Sequence, residues 1–292
     1  LSRDHLDYHG DMQSYAQAKR RLFEVPGLDT AILNIDDAFG RELVAQLRTQ
    51  TRVLGYGLGD AAGLDCEAVL ADRLEPGPRG LRARVRTPWG SGELESRLLG
   101  RFNLQNLLAV LTTLLAIGIE LTEALLRLRE LHAVPGRMEV VPADPGSPLA
   151  VVDYAHTPAA LTQVLEALRE HCAGRLWCVF GCGGDRDRGK RALMADAAER
   201  LSDRIVVTDD NPRTEDPERI VQDILAGLGR PEQARVERDR GRAISLVLGE
   251  AGPEDVVLIA GKGHEEVQIV GTECRPFSDR EQVERALRGG GR

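Results

Sequence analysis

Three loops in the second half of the chain carry residue types that could hold an amino acid or a phosphate. The first, Gly181-Cys-Gly-Gly-Asp-Arg-Asp-Arg-Gly-Lys-Arg191, follows an apolar run and precedes a helical pattern. From Gly184 to Lys190 it has the spacing of a phosphate-binding loop, but Arg191 stands where a Ser or Thr should ligate Mg2+. Asp185 and Asp187 would also direct negative charge at a phosphate. The planar fork of Arg186 suits a carboxylate better. The second loop, Asp209-Asp-Asn-Pro-Arg213, is stiffened by Pro212, which keeps Asn211 out of helical geometry and presents Asp210, Asn211 and Arg213 together. An acid, an amide and a guanidinium on one turn can read an amino acid, whose ammonium and carboxylate need opposite partners. The same residues could equally form an Asx turn that caps the next helix. In the third loop, Gly261-Lys-Gly-His-Glu265, two glycines let the backbone approach a ligand and Glu265 could pair with an ammonium, a pattern that is weak by itself.

Near the start of the chain, Asp4-His-Leu-Asp-Tyr-His9 packs two histidines and two aspartates into six residues. A surface turn is the commoner reading, and the spacing is not that of a zinc site. The helical pattern that follows puts Met12, Tyr15, Ala16, Leu22 and Phe23 on one stripe with Lys19 inside it. Such a lysine either snorkels its charge to water or, partly buried, loses its proton more easily and becomes open to modification.

The elements that must position these groups fall into two patterns. From Leu149 onward, short apolar runs (Leu149 to Tyr154, Leu176 to Phe180, Ile205 to Thr208, Val256 to Ala260) alternate with amphipathic helices such as the one bearing Leu161, Val164, Leu165 and Leu168. That alternation predicts an α/β fold with a doubly wound, Rossmann-like parallel sheet, in which ligands sit beyond the carboxyl ends of the strands. The loops named above, with Asp153 to Pro158, are then the ones to face a ligand. The earlier part mixes helices with strands that read as antiparallel, including a hairpin of Leu81 to Val85 and Glu93 to Leu99 around Thr-Pro-Trp-Gly, and a long apolar helix from Asn103 to about Gly118. The turn-rich stretch from Val141 to Pro148 reads as a boundary between domains at 1–147 and 148–292.

Composition narrows the classes further. A formal charge of −8 gives no general reason to approach nucleic acid or an anionic membrane, and no apolar run has the length of a transmembrane helix. Five cysteines without a CxxC pair suit reduced thiols in a cytoplasm rather than a zinc site.

Together the segments Ser2 to Gly10, Asn103 to Asn106, Pro135-Gly-Arg-Met-Glu139, Asp153-Tyr-Ala-His-Thr-Pro158, Cys178 to Asp187, Asp210-Asn-Pro-Arg213 and Gly261 to Glu265 resemble, in order and nearly end to end, the Mur ligase family. Within it they resemble the branch that adds meso-diaminopimelate to UDP-N-acetylmuramoyl-L-alanyl-D-glutamate. The resemblance implies a central ATPase domain, here truncated, followed by a C-terminal ligase domain. It implies ATP and Mg2+ as cofactors, an acyl phosphate intermediate, and a monomer. By resemblance His5 ligates Mg2+, and Lys19 is carbamylated to become an anionic oxygen ligand. Asn103 and Asn106 lie near adenine, Arg137 near the phosphates, and Asp153 with His156 around the ribose. Arg186, Asp210, Asn211, Arg213, Gly261 and Glu265 form the diaminopimelate site, where the two arginines would bind the carboxylate that lysine lacks. The family's phosphate loop and UDP-sugar domain precede the histidine motif and are not in these 292 residues, and the chain opens on Leu1. A fragment without catalysis of its own is therefore expected. Alternatives are a folylpolyglutamate synthetase-like ligase and a noncatalytic amino-acid-binding module.

Overall fold

A computed structural model describes residues 11–47, 49, 51–77 and 80–289. The chain forms two units, one of Leu1–Glu75, Gly80–Arg97 and Arg101–Leu131, the other of Pro76–Arg79, Leu98–Gly100 and His132–Arg292.

In the first unit a short helix α1 (Met12–Arg20) is capped by Asp11, whose carboxylate accepts from the Ser14 N–H at 2.7 Å. It leads to β1 (Thr30–Asn34), α2 (Ala38–Leu47), β2 (Arg52–Leu58), β3 (Glu67–Gly77), β4 (Gly80–Thr87) and β5 (Gly90–Ser96), which form one sheet in that strand order. The expected hairpin is β4 and β5, closed at Thr87, whose hydroxyl donates to Gly90 O. The other expected antiparallel strands are corrected: β1, β2 and β3 pair in parallel. Hydrophobic alternation reports which face of a strand is buried, and it is silent on the direction of the partner. The apolar helix is α3 (Arg101–Ala116), burying Leu104, Leu107, Leu108, Leu111 and Leu115, and α4 (Leu121–Arg129) follows it.

The second unit has the predicted architecture. Its strands are β6 (Glu139–Val140), β7 (Leu149–Asp153), β8 (Leu176–Phe180), β9 (Arg204–Val207), β10 (Arg235–Val236) and β11 (Val256–Ala260), ordered β10-β9-β8-β11-β7-β6. Every residue of β7, β8 and β11 is buried, which is why each reads as a continuous apolar run. All pairings are parallel except that of β6 with β7. Helices α5 (Pro158–Arg169), α6 (Gly189–Leu201), α7 (Pro217–Leu225), α8 (Arg240–Glu250) and α9 (Asp279–Gly289) connect and flank the strands. One face packs Val152, Val179 and Ile259 against Ala243, Ile244, Val247 and Val283 of α8 and α9. A hairpin of β12 (Val267–Val270) and β13 (Glu273–Pro276) stands apart from this sheet.

The boundary differs from the one expected. Val141 to Pro148 connects two antiparallel strands of one sheet, with the Val141 N–H donating to Ala150 O, and the long continuous segment of the second unit already starts at His132. Proline and glycine end a strand at a turn just as they do at a linker, so composition alone does not separate the two.

Candidate functional site

Four loops leave the carboxyl ends of β7, β8, β9 and β11, and all four contribute to one cavity of roughly 400 Å³. Arg186 and Arg213 both line it, as do Asp210, Asn211, Gly261 and Glu265, so every residue expected for an amino-acid site is brought together. Tyr154, Thr157, Asp187 and Lys190 complete the wall beside His156 and Gly183. Arginine and lysine cations thus share one open space with carboxylates, the arrangement a zwitterion requires.

The arginine side is held by a tie between two loops. The Gly184 N–H donates to Asn211 O at 2.9 Å, and Arg213 Nη1 donates to Gly184 O at 2.8 Å. No side chain fits at Gly184, where a Cβ would collide with Pro212 O, and at Gly183 a Cβ would stand 2.8 Å from Arg213 Nη1. Arg213 itself has φ of +51°, a strained value for a residue with a side chain. Backbone bonds enforce it: its N–H donates to Ile269 O and its carbonyl accepts from Gly271 N at 2.7 Å. Arg186 is exposed at the cavity edge and makes no hydrogen bond or ion pair among the described residues, which leaves its fork available to a ligand.

Arg191 explains why the phosphate-loop pattern fails. Its guanidinium is fully buried, with Nη2 at 2.6 Å and Nη1 at 2.8 Å from the two oxygens of Glu215, and Nη1 also 2.8 Å from Asp223. The bonds from Arg191 hold the Glu215 carboxyl down to about 2. Asp185 turns away from the cavity and accepts from the Thr214 N–H and hydroxyl. Lys190 donates to the carbonyl of His156 at 2.9 Å. These residues clamp loops to one another, and nothing in the pattern around Arg191 marks it as a buried anchor.

On the acid side, Asp210 and Asn211 are 7% and 5% exposed. Burial pushes the Asp210 carboxyl up, opposed by the charges of Arg240 and Lys262. Asn211 Nδ2 donates to Glu265 Oε2 at 2.9 Å, and its Oδ1 accepts from the Ile269 N–H. Lys262, which sequence reasoning passed over, lies at the centre of this group with no exposed surface.

The residues expected around a nucleotide are placed less uniformly. Asp153 does not line the cavity; its two oxygens accept the N–H groups of Met138 and Ala155 at 2.7 Å each, and burial raises its pKa. That geometry makes it a brace for the Pro135 to Met138 turn and for the backbone that leads to His156. His156 is exposed, and its Nδ1 lies 2.8 Å from Tyr154 O, which puts the ring hydrogen there and leaves Nε2 outward. Arg137 is exposed and stacks on the Tyr154 ring at 4.7 Å. Asn103 and Asn106 belong to the first unit, one turn apart on α3, with Asn106 Nδ2 3.4 Å from Asn103 Oδ1. Of the two placements open to Lys19 the exposed one is found: α1 buries no residue, and the Lys19 ammonium is exposed 5.5 Å from the Tyr15 ring. It lines an apolar cavity of the first unit together with Asn34, Asp37 and Tyr56. His5 lies outside the described residues.

Residues 1–114 match the family described as Mur ligase middle domain, and residues 136–263 match that described as Mur ligase, glutamate ligase domain. The chain belongs to the Mur ligase family. Among Mur ligases, the UDP-N-acetylmuramoyl-L-alanyl-D-glutamate--2,6-diaminopimelate ligase of Alkalilimnicola ehrlichii is 55% identical over 287 residues, covering 98% of this chain and 57% of that protein. A solved structure of a ligase of the same name aligns with TM-score 0.78 at 41% identity, covering 99% of this chain and 59% of that one. The Mycobacterium tuberculosis folylpolyglutamate synthase complexed with ADP, at 21% identity and TM-score 0.65 over 89% of this chain and 59% of that one, is alike in fold alone. This Mur ligase chain therefore spans less than two thirds of the length of the relatives it matches.

Proposed function

We propose that the chain supplies the amino-acid site of an ATP-dependent ligase that joins meso-diaminopimelate to UDP-N-acetylmuramoyl-L-alanyl-D-glutamate in peptidoglycan precursor synthesis. The activity is proposed for the full-length protein, and the share proposed for this chain is recognition of the incoming amino acid. One observation carries the reading: Arg186 and Arg213 line the same cavity as Asp210 and Glu265. Diaminopimelate has two amino-acid heads, so a site for it needs cationic and anionic partners beyond those for the reacting end. Arg186, without a protein partner among the described residues, and Arg213, with one N–H used on Gly184, would fork onto the far carboxylate. Asp210 and Glu265 would face the ammonium beside it. Lysine would leave both guanidinium groups unanswered, and that deficit is what rejects it.

In the proposed reaction the dipeptide carboxylate attacks the γ-phosphate of ATP, ADP leaves, and the free amine of diaminopimelate opens the acyl phosphate to form the amide and release phosphate. The chain's own contribution is to hold the diamino acid so that this one amine is presented. For ATP, the amides of Asn103 and Asn106 suit adenine, while Arg137 and His156 offer outward polar groups for phosphate and ribose. For Mg2+ the fit is incomplete: no three His, Cys, Asp or Glu side chains among the described residues are grouped to hold a metal ion. Carbamylation of Lys19 would add an anionic oxygen on the wall it shares with Asp37. A monomer in the cytoplasm completes the proposal, and the five free cysteines suit a reducing compartment. Among the described residues no helix is long and apolar enough to cross a membrane.

Calorimetric titration of the chain with meso-diaminopimelate, lysine and glutamate tests the reading. Diaminopimelate should bind at least about 100-fold more tightly than either of the others. Equal affinity for lysine, or a preference for glutamate, would refute it.

A further inference from the structure

We infer that Lys262 is the positioning residue of the amino-acid site, its buried ammonium locking the Asp210 to Arg213 turn to the Gly261 to Glu265 loop and aiming Glu265 at the cavity. The inference rests on the reading of the cavity as an amino-acid site.

Lys262 is 0% exposed, and its ammonium has three N–H groups and three oxygens to meet them. These are Asn211 Oδ1 at 2.8 Å, Glu265 Oε2 at 3.2 Å and Asp210 Oδ1 at 3.5 Å. The contacts leave Asn211 little freedom to bind a ligand, since its Oδ1 also accepts from Ile269 N and its Nδ2 donates to the same Glu265 Oε2. Both bonds to Glu265 fall on Oε2, so Oε1 accepts no hydrogen bond among the described residues and remains for an ammonium. Asn211 and Lys262 thus orient the carboxylate that touches substrate.

Composition points the same way. Of 38 basic side chains in this chain only three are lysine, at positions 19, 190 and 262. A chain so biased toward arginine carries a lysine at this fully buried position, where a flat guanidinium cannot serve. A compact ammonium can face three converging oxygens, and a planar fork cannot.

The charge of Lys262 also matters to Asp210, which is faced by Arg240, Lys262, Glu265 and Asp279. Burial raises the Asp210 carboxyl, and Arg240 and Lys262 are the cations that oppose the rise. Without Lys262, Asp210 takes up its proton at a higher pH, and recognition that needs its charge is lost from that pH downward.

The test compares the wild-type chain with Lys262→Met by calorimetric titration with meso-diaminopimelate from about pH 6 to about pH 9, with circular dichroism to confirm folding. The variant should bind at least about tenfold more weakly, and the deficit should widen as pH falls. A folded variant that binds within about twofold of wild type, or with a deficit constant across pH, overturns the inference. Should the variant fail to fold, wild-type chain labelled at lysine 13Cε and 15Nζ decides the matter. Its three lysine signals are assigned by elimination with Lys19→Ala and Lys190→Ala. The Lys262 signal should move when meso-diaminopimelate is added, and an unmoved signal overturns the inference. If wild-type chain fails to bind meso-diaminopimelate at all, the site reading itself falls, a result distinct from a failure confined to Lys262.

Discussion

Replacing Glu215 with Gln should weaken the second unit by an amount that depends on pH. Glu215 bonds through both oxygens to the fully buried Arg191 guanidinium and also accepts from the Asp185 N–H, so it joins the loops that carry Arg186 and Arg213. Its carboxyl is held at about 2 against an ordinary 4.5. At 1.36 kcal/mol per pH unit that difference corresponds to at most about 3 kcal/mol, which the solvent-facing side of the pair reduces to about 2 kcal/mol. The sign follows from the depression. The contribution is complete above about pH 4.5, where an unfolded glutamate is ionised, and is lost as pH falls from there through about 2. Glutamine cannot titrate, so the gap between wild type and variant should be about 2 kcal/mol at pH 7 and less than about 1 kcal/mol at pH 3. The assay is urea unfolding in a Trp89→Phe background, where Trp177, 6% exposed in the core of the second unit, is the sole reporter. A gap below about 0.5 kcal/mol at pH 7, or one that stays constant down to pH 3, would refute the reasoning.

Arg213→Lys removes the fork and keeps the charge, so affinity for meso-diaminopimelate measured by calorimetry should fall by about 2 kcal/mol with folding intact; a loss under about 0.5 kcal/mol would count against the fork. Gly184→Ala drives a Cβ into Pro212 O and spreads the two arginine loops. Binding should drop at least about tenfold and Tm by a few degrees, and unchanged binding would show that loop spacing is not critical. Cys178 and Cys182 are buried with thiols pushed up to about 12, and Cys274 is exposed. In the folded chain a disulfide reagent should modify Cys274 quickly and the two buried thiols only after unfolding, as peptide mapping would report.

Much of the second unit was legible because its strands are buried on both faces, a state that writes itself as unbroken apolar runs in Leu149–Asp153, Leu176–Phe180 and Val256–Ala260. Once those were identified as parallel strands, their carboxyl-terminal loops had to share one end of the sheet, and they do. Strand direction in the first unit was not legible, because β1, β2 and β3 have the same face patterns whichever way their partners run. Nor was the domain boundary, because β6 is only two residues long and its pairing to β7 is a tertiary fact. Buried ions were the other gap. Arg191 and Lys262 look like ordinary loop charges until Glu215, Asp223, Asn211 and Glu265, all distant or differently patterned in sequence, are placed around them. Lys19 was ambiguous for a different reason, since a stripe of mixed residues leaves open whether a long side chain snorkels or turns inward, and only the fold shows a helix that buries none.

The central claim, that two guanidinium groups in one cavity grip a single carboxylate of the diamino acid, is tested most directly by a double-mutant cycle. Affinity for meso-diaminopimelate would be measured by calorimetry for wild type, Arg186→Ala, Arg213→Ala and the pair. Each single change should cost about 2 kcal/mol, and the double change should cost less than their sum by at least about 0.5 kcal/mol, because both arms hold the same group. Losses that simply add, or a ligand indifferent to either arginine, would contradict the account.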